Sequence, residues 1–132
     1  MNYNLVHRDE YEGDVHAVCA REQVACLPFY SLAKGFLTGK YRPGSKVESV
    51  RSQGAAEFMD ARGLRVLAVL DEIAARRGTT VAAVSLAWLA ARPGVAAPVA
   101  SARMPEQLAE LLPFVEIALA KDETERLTEA SS

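Results

Sequence analysis

The 132 residues are half hydrophobic, and 15 Lys and Arg stand against 17 Asp and Glu, for a formal net charge of −2. Those figures fit one soluble globular domain with enough apolar residues for a core, and they argue against a generally basic nucleic-acid binder. No run of 18 apolar residues is present to span a membrane, and Met1 to Arg8 lacks the pattern of a secretory signal, so the expected compartment is the cytoplasm.

The predicted elements alternate in a βα rhythm. Residues 14–22 read as a short helix behind the stop-and-cap pair Gly13-Asp14, with Val15, Val18 and Cys19 on one face. Residues 24–29 (VACLPF) look like a strand buried on both faces. A long irregular stretch over 30–54 follows, with Gly35, Gly39, Pro43 and Gly44; loops of that length in compact domains are usually functional or disordered. Residues 61–77 give the clearest helix, with Leu64, Leu67, Leu70 and Ile73 near helical spacing and Arg76-Arg77-Gly78 as a stop.

Thr80 caps a helix over 81–91 that is apolar nearly all round and so must be covered on most faces. After Pro93-Gly94, residues 95–100 (VAAPVA) form a second short strand, in which Pro98 demands an end, an edge or a bulge. Met104-Pro105-Glu106 opens a helix to about residue 112, and a weaker amphipathic piece covers 121–130. Parallel strands joined by helices make an α/β layer, yet two strands are too few for a stable sheet.

Two turns carry chemistry. Between Lys34 and Arg51 stand Lys34, Lys40, Arg42, Lys46 and Arg51 against Glu48 alone, a window of +4 that follows a buried strand. Such a run is either a solvated loop or one that closes on a phosphate at the carboxyl end of a strand. The second turn, Ser101-Ala102-Arg103, leads into the helix opened by Pro105. It is either an ordinary βα turn or an anion site made of a hydroxyl, a guanidinium and unpaired helix N–H groups. Two such turns in succession suit a ligand with two well-separated phosphates, and a dinucleotide fits. His7 and His16 have no partner at metal or triad spacing, Cys19 and Cys26 read as core residues, and Trp88 reads as packing. No metal site and no catalytic motif is visible.

The residues in these turns carry a family likeness. LPFYSLAKGFLTGKY (27–41) resembles the segment after the seventh barrel strand of the aldo-keto reductases, and LAWLAARPGVAAPVASARMPEQLAE (86–110) resembles their eighth strand with its turn and helix. Tyr3-Asn4-Leu5 with Arg8 is similar to the segment after their sixth strand, and LTEAS (127–131) to their usual ending. The likeness covers 1–132 and implies an α/β fold, the C-terminal part of a (β/α)8 TIM barrel that begins near the end of strand six. It implies an oxidoreductase that reduces small carbonyl substrates with NADP(H).

By that resemblance Phe29 stacks on the nicotinamide, and Tyr30, Ser31, Leu32, Lys34 and Gly35 run along the pyrophosphate with Lys40 and Arg51 closing over it. Ser101, Ala102 and Arg103 hold the adenosine 2′-phosphate, with Gln107 in the same region and Glu110 at the adenine. Departures accompany the match. Tyr30-Ser31-Leu32 lacks the family's usual proline, Leu111 replaces a common Asn, and Ala120 and Thr124 replace a capping Ser and an apolar Leu, so the last helix is expected to be loosely held. The family's Asp, Tyr, Lys and His catalytic tetrad lies on the first half of the barrel, and Tyr3, Tyr11, Tyr30 and Tyr41 all fall at other positions.

The chain is therefore expected to be a fragment with the cofactor turns but no catalytic residue, about half of the roughly 250 residues a (β/α)8 barrel needs. A missing N-terminal half is its implied partner. The alternatives are a non-catalytic nucleotide-binding or partner-docking half-barrel, and a helical interaction protein without a ligand.

Overall fold

A computed structural model describes residues 1–44 and 52–132. Among the described residues six α-helices follow in chain order: α1 (Asp14–Arg21), α2 (Ser52–Ala56), α3 (Ala61–Arg77), α4 (Val81–Ala90), α5 (Pro105–Leu111) and α6 (Lys121–Ala130). Short segments of 3-10 type occupy Ala33–Thr38, kinked by non-helical backbone at Lys34 and Gly35, and Leu112–Glu116. No helix among the described residues is long and apolar enough to cross a membrane.

Local chemistry sets the helix ends. The Asp60 carboxylate accepts the Gly63 N–H at 2.7 Å at the start of α3, and Gly78 closes that helix in the left-handed region after Arg76 and Arg77. Thr80 accepts the Ala83 N–H at 3.1 Å to open α4. For α1 the expected Asp14 cap is corrected: Gly13, at φ 117°, holds the cap position without a side-chain bond, and Asp14 is the first helical residue.

The helices pack as a layer around one core. Val66, Leu67, Leu70 and Ile73 of α3 meet Val84, Trp88 and Leu89 of α4 and Leu127 of α6, with Tyr3, Leu5, Tyr11, Phe36 and Leu37 closing it. As its apolar circumference demands, α4 is buried from Ala82 through Leu89.

The expected α/β sheet is not formed. Among the described residues the β pairings are isolated bridges: Asn2 with Phe29 and Cys26 with Val95, both parallel, and Asn4 with His7, antiparallel. The segments 1–4, 24–30 and 94–100 do run side by side through Phe29 N–H to Met1 O at 2.9 Å, Cys26 N–H to Gly94 O at 2.7 Å, Ala96 N–H to Cys26 O at 2.9 Å and Val99 N–H to Pro28 O at 3.0 Å. Pro28 and Pro98 each remove a donor from a run of six residues or so, which interrupts any continuous ladder.

The last helix corrects a second expectation, for it is tightly held. Glu123, buried, takes the place of the absent cap: its carboxylate accepts the Ala120 N–H at 2.8 Å and forms an ion pair with Arg77. The Arg77 hydrogen bonds, outweighing burial, bring the Glu123 carboxyl down to about 2. Arg126 pairs with Glu72, and the Trp88 indole N–H donates to Thr128 Oγ1 at 3.2 Å.

Arg8 completes the anchorage. It grips Glu12 through bonds of 2.9–3.1 Å, donates to Thr128 O and Ser131 Oγ at 2.9 Å, and lies 5.7 Å from the Trp88 ring centroid, with Arg92 at 4.7 Å. Burial and the Glu12 carboxylate raise the Tyr3 phenol well above its ordinary value. Burial would raise Glu12 too, but the Arg8 and Tyr3 hydrogen bonds prevail and hold it low.

Candidate functional site

The turn after residue 29 is built on strained backbone. Tyr30, Ala33 and Lys34 have φ of 52°, 51° and 56°. Such values are uncommon outside glycine, and surrounding structure must impose them on a bulky residue. The Tyr30 carbonyl accepts both the Ala33 N–H at 2.8 Å and the Asn4 side-chain amide at 2.9 Å, while the buried Ser31 hydroxyl donates to Pro28 O at 3.1 Å. The Phe29 and Tyr30 rings meet edge-on at 5.2 Å, with 45% and 52% of each residue exposed. Lys34 Nζ lies 6.0 Å from the Tyr30 ring centroid and pairs with Glu57 at 3.1 Å. Its stem fills the space beside Gly54, where a Cβ would fall 2.7 Å from Lys34 Cδ.

The turn 101–103 is simpler. Gln107 reaches back to accept the Arg103 N–H at 2.8 Å, and Pro105 opens α5, a helix of only seven residues. So short a helix adds little dipole, and the attraction for an anion rests on side chains instead. Among the described residues the exposed Arg103 guanidinium has no ion-pair partner, and Lys40 Nζ stands 5.2 Å from the Tyr41 ring centroid.

These turns wall two adjoining cavities. The larger, about 620 Å³, is lined by Phe29, Tyr30, Ser31, Leu32, Lys34, Gly35, Gly54, Val99, Ala100 and Ser101. The smaller, about 390 Å³, is lined by Leu32, Gly35, Thr38, Lys40, Tyr41, Ser101, Arg103, Met104, Gln107, Glu110 and Leu111. Leu32, Gly35 and Ser101 border both, so the two form one groove with an aromatic end and a basic end.

All the expected site residues line this groove except two. Ala102 turns inward, half-buried against the small cluster of Ala82, Leu86 and Leu111. Arg51 lies outside the described residues, as do Lys46 and Glu48. The charge window is also less basic than its sequence: Arg42 is bound to both Asp71 oxygens at 2.8 and 2.9 Å and to Gly39 O at 2.6 Å. Thr38 and Tyr41, within the 27–41 run, and Val99-Ala100, at the end of the second expected strand, join the lining without having been singled out. For Gly54 the sequence holds no signal. His7 pairs with Glu10 at 3.1 Å and the His16 ring lies tilted against Tyr11 at 5.5 Å, and neither histidine lines the groove.

The family model described as "Aldo/keto reductase family" matches residues 1–132. The chain belongs to the aldo/keto reductase family. Membership supports oxidoreductase chemistry for the proteins this chain resembles. It is 31% identical over 120 residues to the L-glyceraldehyde 3-phosphate reductase of Escherichia coli (strain K12), covering 83% of this chain and 34% of that protein. An aldo-keto reductase of Metarhizium robertsii is 32% identical over 133 residues, covering 97% and 35%. A thermostable aldo-keto reductase crystallised with the inhibitor epalrestat shares the fold at a TM-score of 0.69 and 24% identity, over 98% of this chain and 38% of that one. The chain thus spans about a third of the length of the curated aldo/keto reductases it matches.

Proposed function

We propose that this chain is the cofactor-holding C-terminal portion of an NADP(H)-dependent aldo-keto reductase acting on small carbonyls in the cytoplasm, and that it supplies no catalytic side chain itself. One observation carries the reading: the two turns with the family's motifs line a single groove, aromatic at Phe29 and basic at Lys40 and Arg103.

The residues present fit the cofactor. The half-exposed Phe29 ring offers a face for the nicotinamide, and the Tyr30–Gly35 turn with Lys34 offers a cradle for the pyrophosphate. Arg103 and Ser101 suit a 2′-phosphate, with Gln107 in the same region and Glu110 toward the adenine, and Lys40 lines the same end of the groove; by the family resemblance Lys40 and Arg51 close over the pyrophosphate. The Lys34–Glu57 pair is exposed, and such pairs contribute no more than about 1 kcal/mol, so a phosphate can take the lysine over. When bound, the cofactor supplies the hydride; the chain's own residues bind it, orient it and shield one side of it.

The apolar side chains of the three parallel segments support placing them in a partial (β/α)8 barrel. Leu27 is 59% exposed and Val99 50%, values at odds with a finished interior. In the working molecule the remaining βα units, including those with the tetrad, would cover them and add the proton donor that carbonyl reduction requires.

Titrating the 132-residue chain with NADPH tests the reading. A rise in melting temperature with a saturable isotherm is expected, since a ligand that binds only the folded state must stabilise it. The absence of both a shift and an isotherm at millimolar NADPH would overturn it. Aldehydes with NADPH should give no turnover, and an ordinary turnover number would refute the claim that the tetrad lies outside the chain.

A further inference from the structure

Asn4 lies outside the groove lining, is 1% exposed, and spends both ends of its side chain. Its Oδ1 accepts the Val6 N–H at 2.9 Å, and its Nδ2 donates to the Tyr30 carbonyl at 2.9 Å across 26 residues of sequence. That carbonyl belongs to the residue at φ 52°, in a left-handed conformation an aromatic side chain does not choose for itself. The second bond on the same oxygen, from Ala33 N–H, is local to the turn. Asn4 is therefore the tie between this carbonyl and a different segment of the chain. That segment is fixed in turn: Met1 O accepts the Phe29 N–H, and Leu5 and Val6 are core residues.

We infer that Asn4 is the positioning residue of the groove's aromatic end: by fixing the Tyr30 carbonyl it sets the Phe29–Tyr30 corner and the start of the turn. It thereby controls affinity for the nicotinamide and pyrophosphate part of a dinucleotide, without touching the ligand. The inference rests on the proposed cofactor reading. It also makes a distinction along the groove. The basic end takes Arg103 from the turn after residue 100 and Lys40 from beyond the 33–38 helix, and the Asn4 side chain bonds to neither.

Asn4→Asp separates the two bonds, because the carboxylate still accepts from Val6 N–H but cannot donate to the Tyr30 carbonyl. Asn4→Ala removes both. Binding of NADPH, which would occupy both ends, is compared with binding of adenosine 2′,5′-bisphosphate, which would occupy the basic end alone, in the full chain. Melting curves select variants that remain folded. Expected is a loss of about tenfold in NADPH affinity for Asn4→Asp, with adenosine 2′,5′-bisphosphate binding unchanged within about twofold. A second variant keeps the test sound should a buried carboxylate unfold the chain: Tyr30→Gly accepts φ 52° without help, so adding Asn4→Ala to it should cost little further NADPH affinity. Equal loss of both ligands, or no loss of either, or an undiminished cost in the Tyr30→Gly background, overturns the assignment while leaving the cofactor reading standing. Failure of the unmodified chain to bind either ligand overturns the cofactor reading, and the role of Asn4 with it.

Discussion

The helical layer and the groove are made of the same chain under opposite rules. In the layer, α3, α4 and α6 bury Leu70, Trp88 and Leu127 completely, and each helix start has a side-chain partner: Asp60, Thr80, Glu123. In the groove, aromatic and aliphatic side chains stand half in solvent, three non-glycine residues hold left-handed backbone, and two prolines interrupt the extended segments. Stability is concentrated where nothing has to bind, while the strained and under-covered side keeps surface free for a ligand and for the rest of a barrel.

Substitutions on the two sides should therefore separate cleanly. Trp88→Ala removes a ring with no exposure, its bond to Thr128 and the surface between Arg8 and Arg92, and should cost about 4 kcal/mol in chemical denaturation. A change near wild type would mean that the layer is not the stable part. Gly63→Ala tests the joint between layer and groove. In most helix interiors that exchange gains roughly 1 kcal/mol. Here the Cβ would fall 1.8 Å from the Phe58 carbonyl oxygen and 3.0 Å from Phe36 Cζ, so a loss of about 2–3 kcal/mol is expected by the same measurement.

Glu123→Gln should cost about 2 kcal/mol at neutral pH, because Arg77 loses its carboxylate while remaining partly open to water. Its pH signature is more telling. The native carboxyl sits near 2 against an ordinary 4.5, so the pair's contribution is full above pH 4.5 and is lost as pH falls from there toward 2. The melting temperature of the wild type should fall more steeply across that window than that of Glu123→Gln; parallel curves would refute the pairing. At the far end of the scale, Phe29→Ala should leave stability within about 0.5 kcal/mol while weakening NADPH binding. A large destabilisation would show that the groove is part of the core after all.

The same contrast decides what the sequence revealed. Helices α3, α4 and α6 were legible to within a residue, because their spacing, the Thr80 cap and the Gly78 stop are local signals. The strands were not: an apolar run such as 24–29 looks alike whether it pairs along a ladder or makes two bridges, and its pairing depends on residues as distant in sequence as Asn2 and Val95. The tightness of α6 was hidden for a related reason, since Glu123 acts through Arg77 on another helix and Ala120 seen alone looks like a missing cap. Charge pointed to the two turns that line the groove but overcounted their cations. Arg42 faces Asp71, and Lys34 faces Glu57, neither of which any local pattern pairs. The resemblance pointed to Phe29 and Tyr30, but the strain at that corner was hidden, because positive φ at Tyr30 leaves no mark on composition or periodicity.

The Arg8 guanidinium joins positions more than a hundred residues apart, Thr128 and Ser131 on one side and its own Glu12 on the other. A contact of such sequence separation is late in any order of assembly, since most of the chain's loop entropy must be lost before it can form. During synthesis the segment that carries Arg8 and Asn4 has to wait for the last helix before its clamp can close. Loosening α6 should accordingly be felt first at Arg8, the point where the N-terminal segment is tied to it.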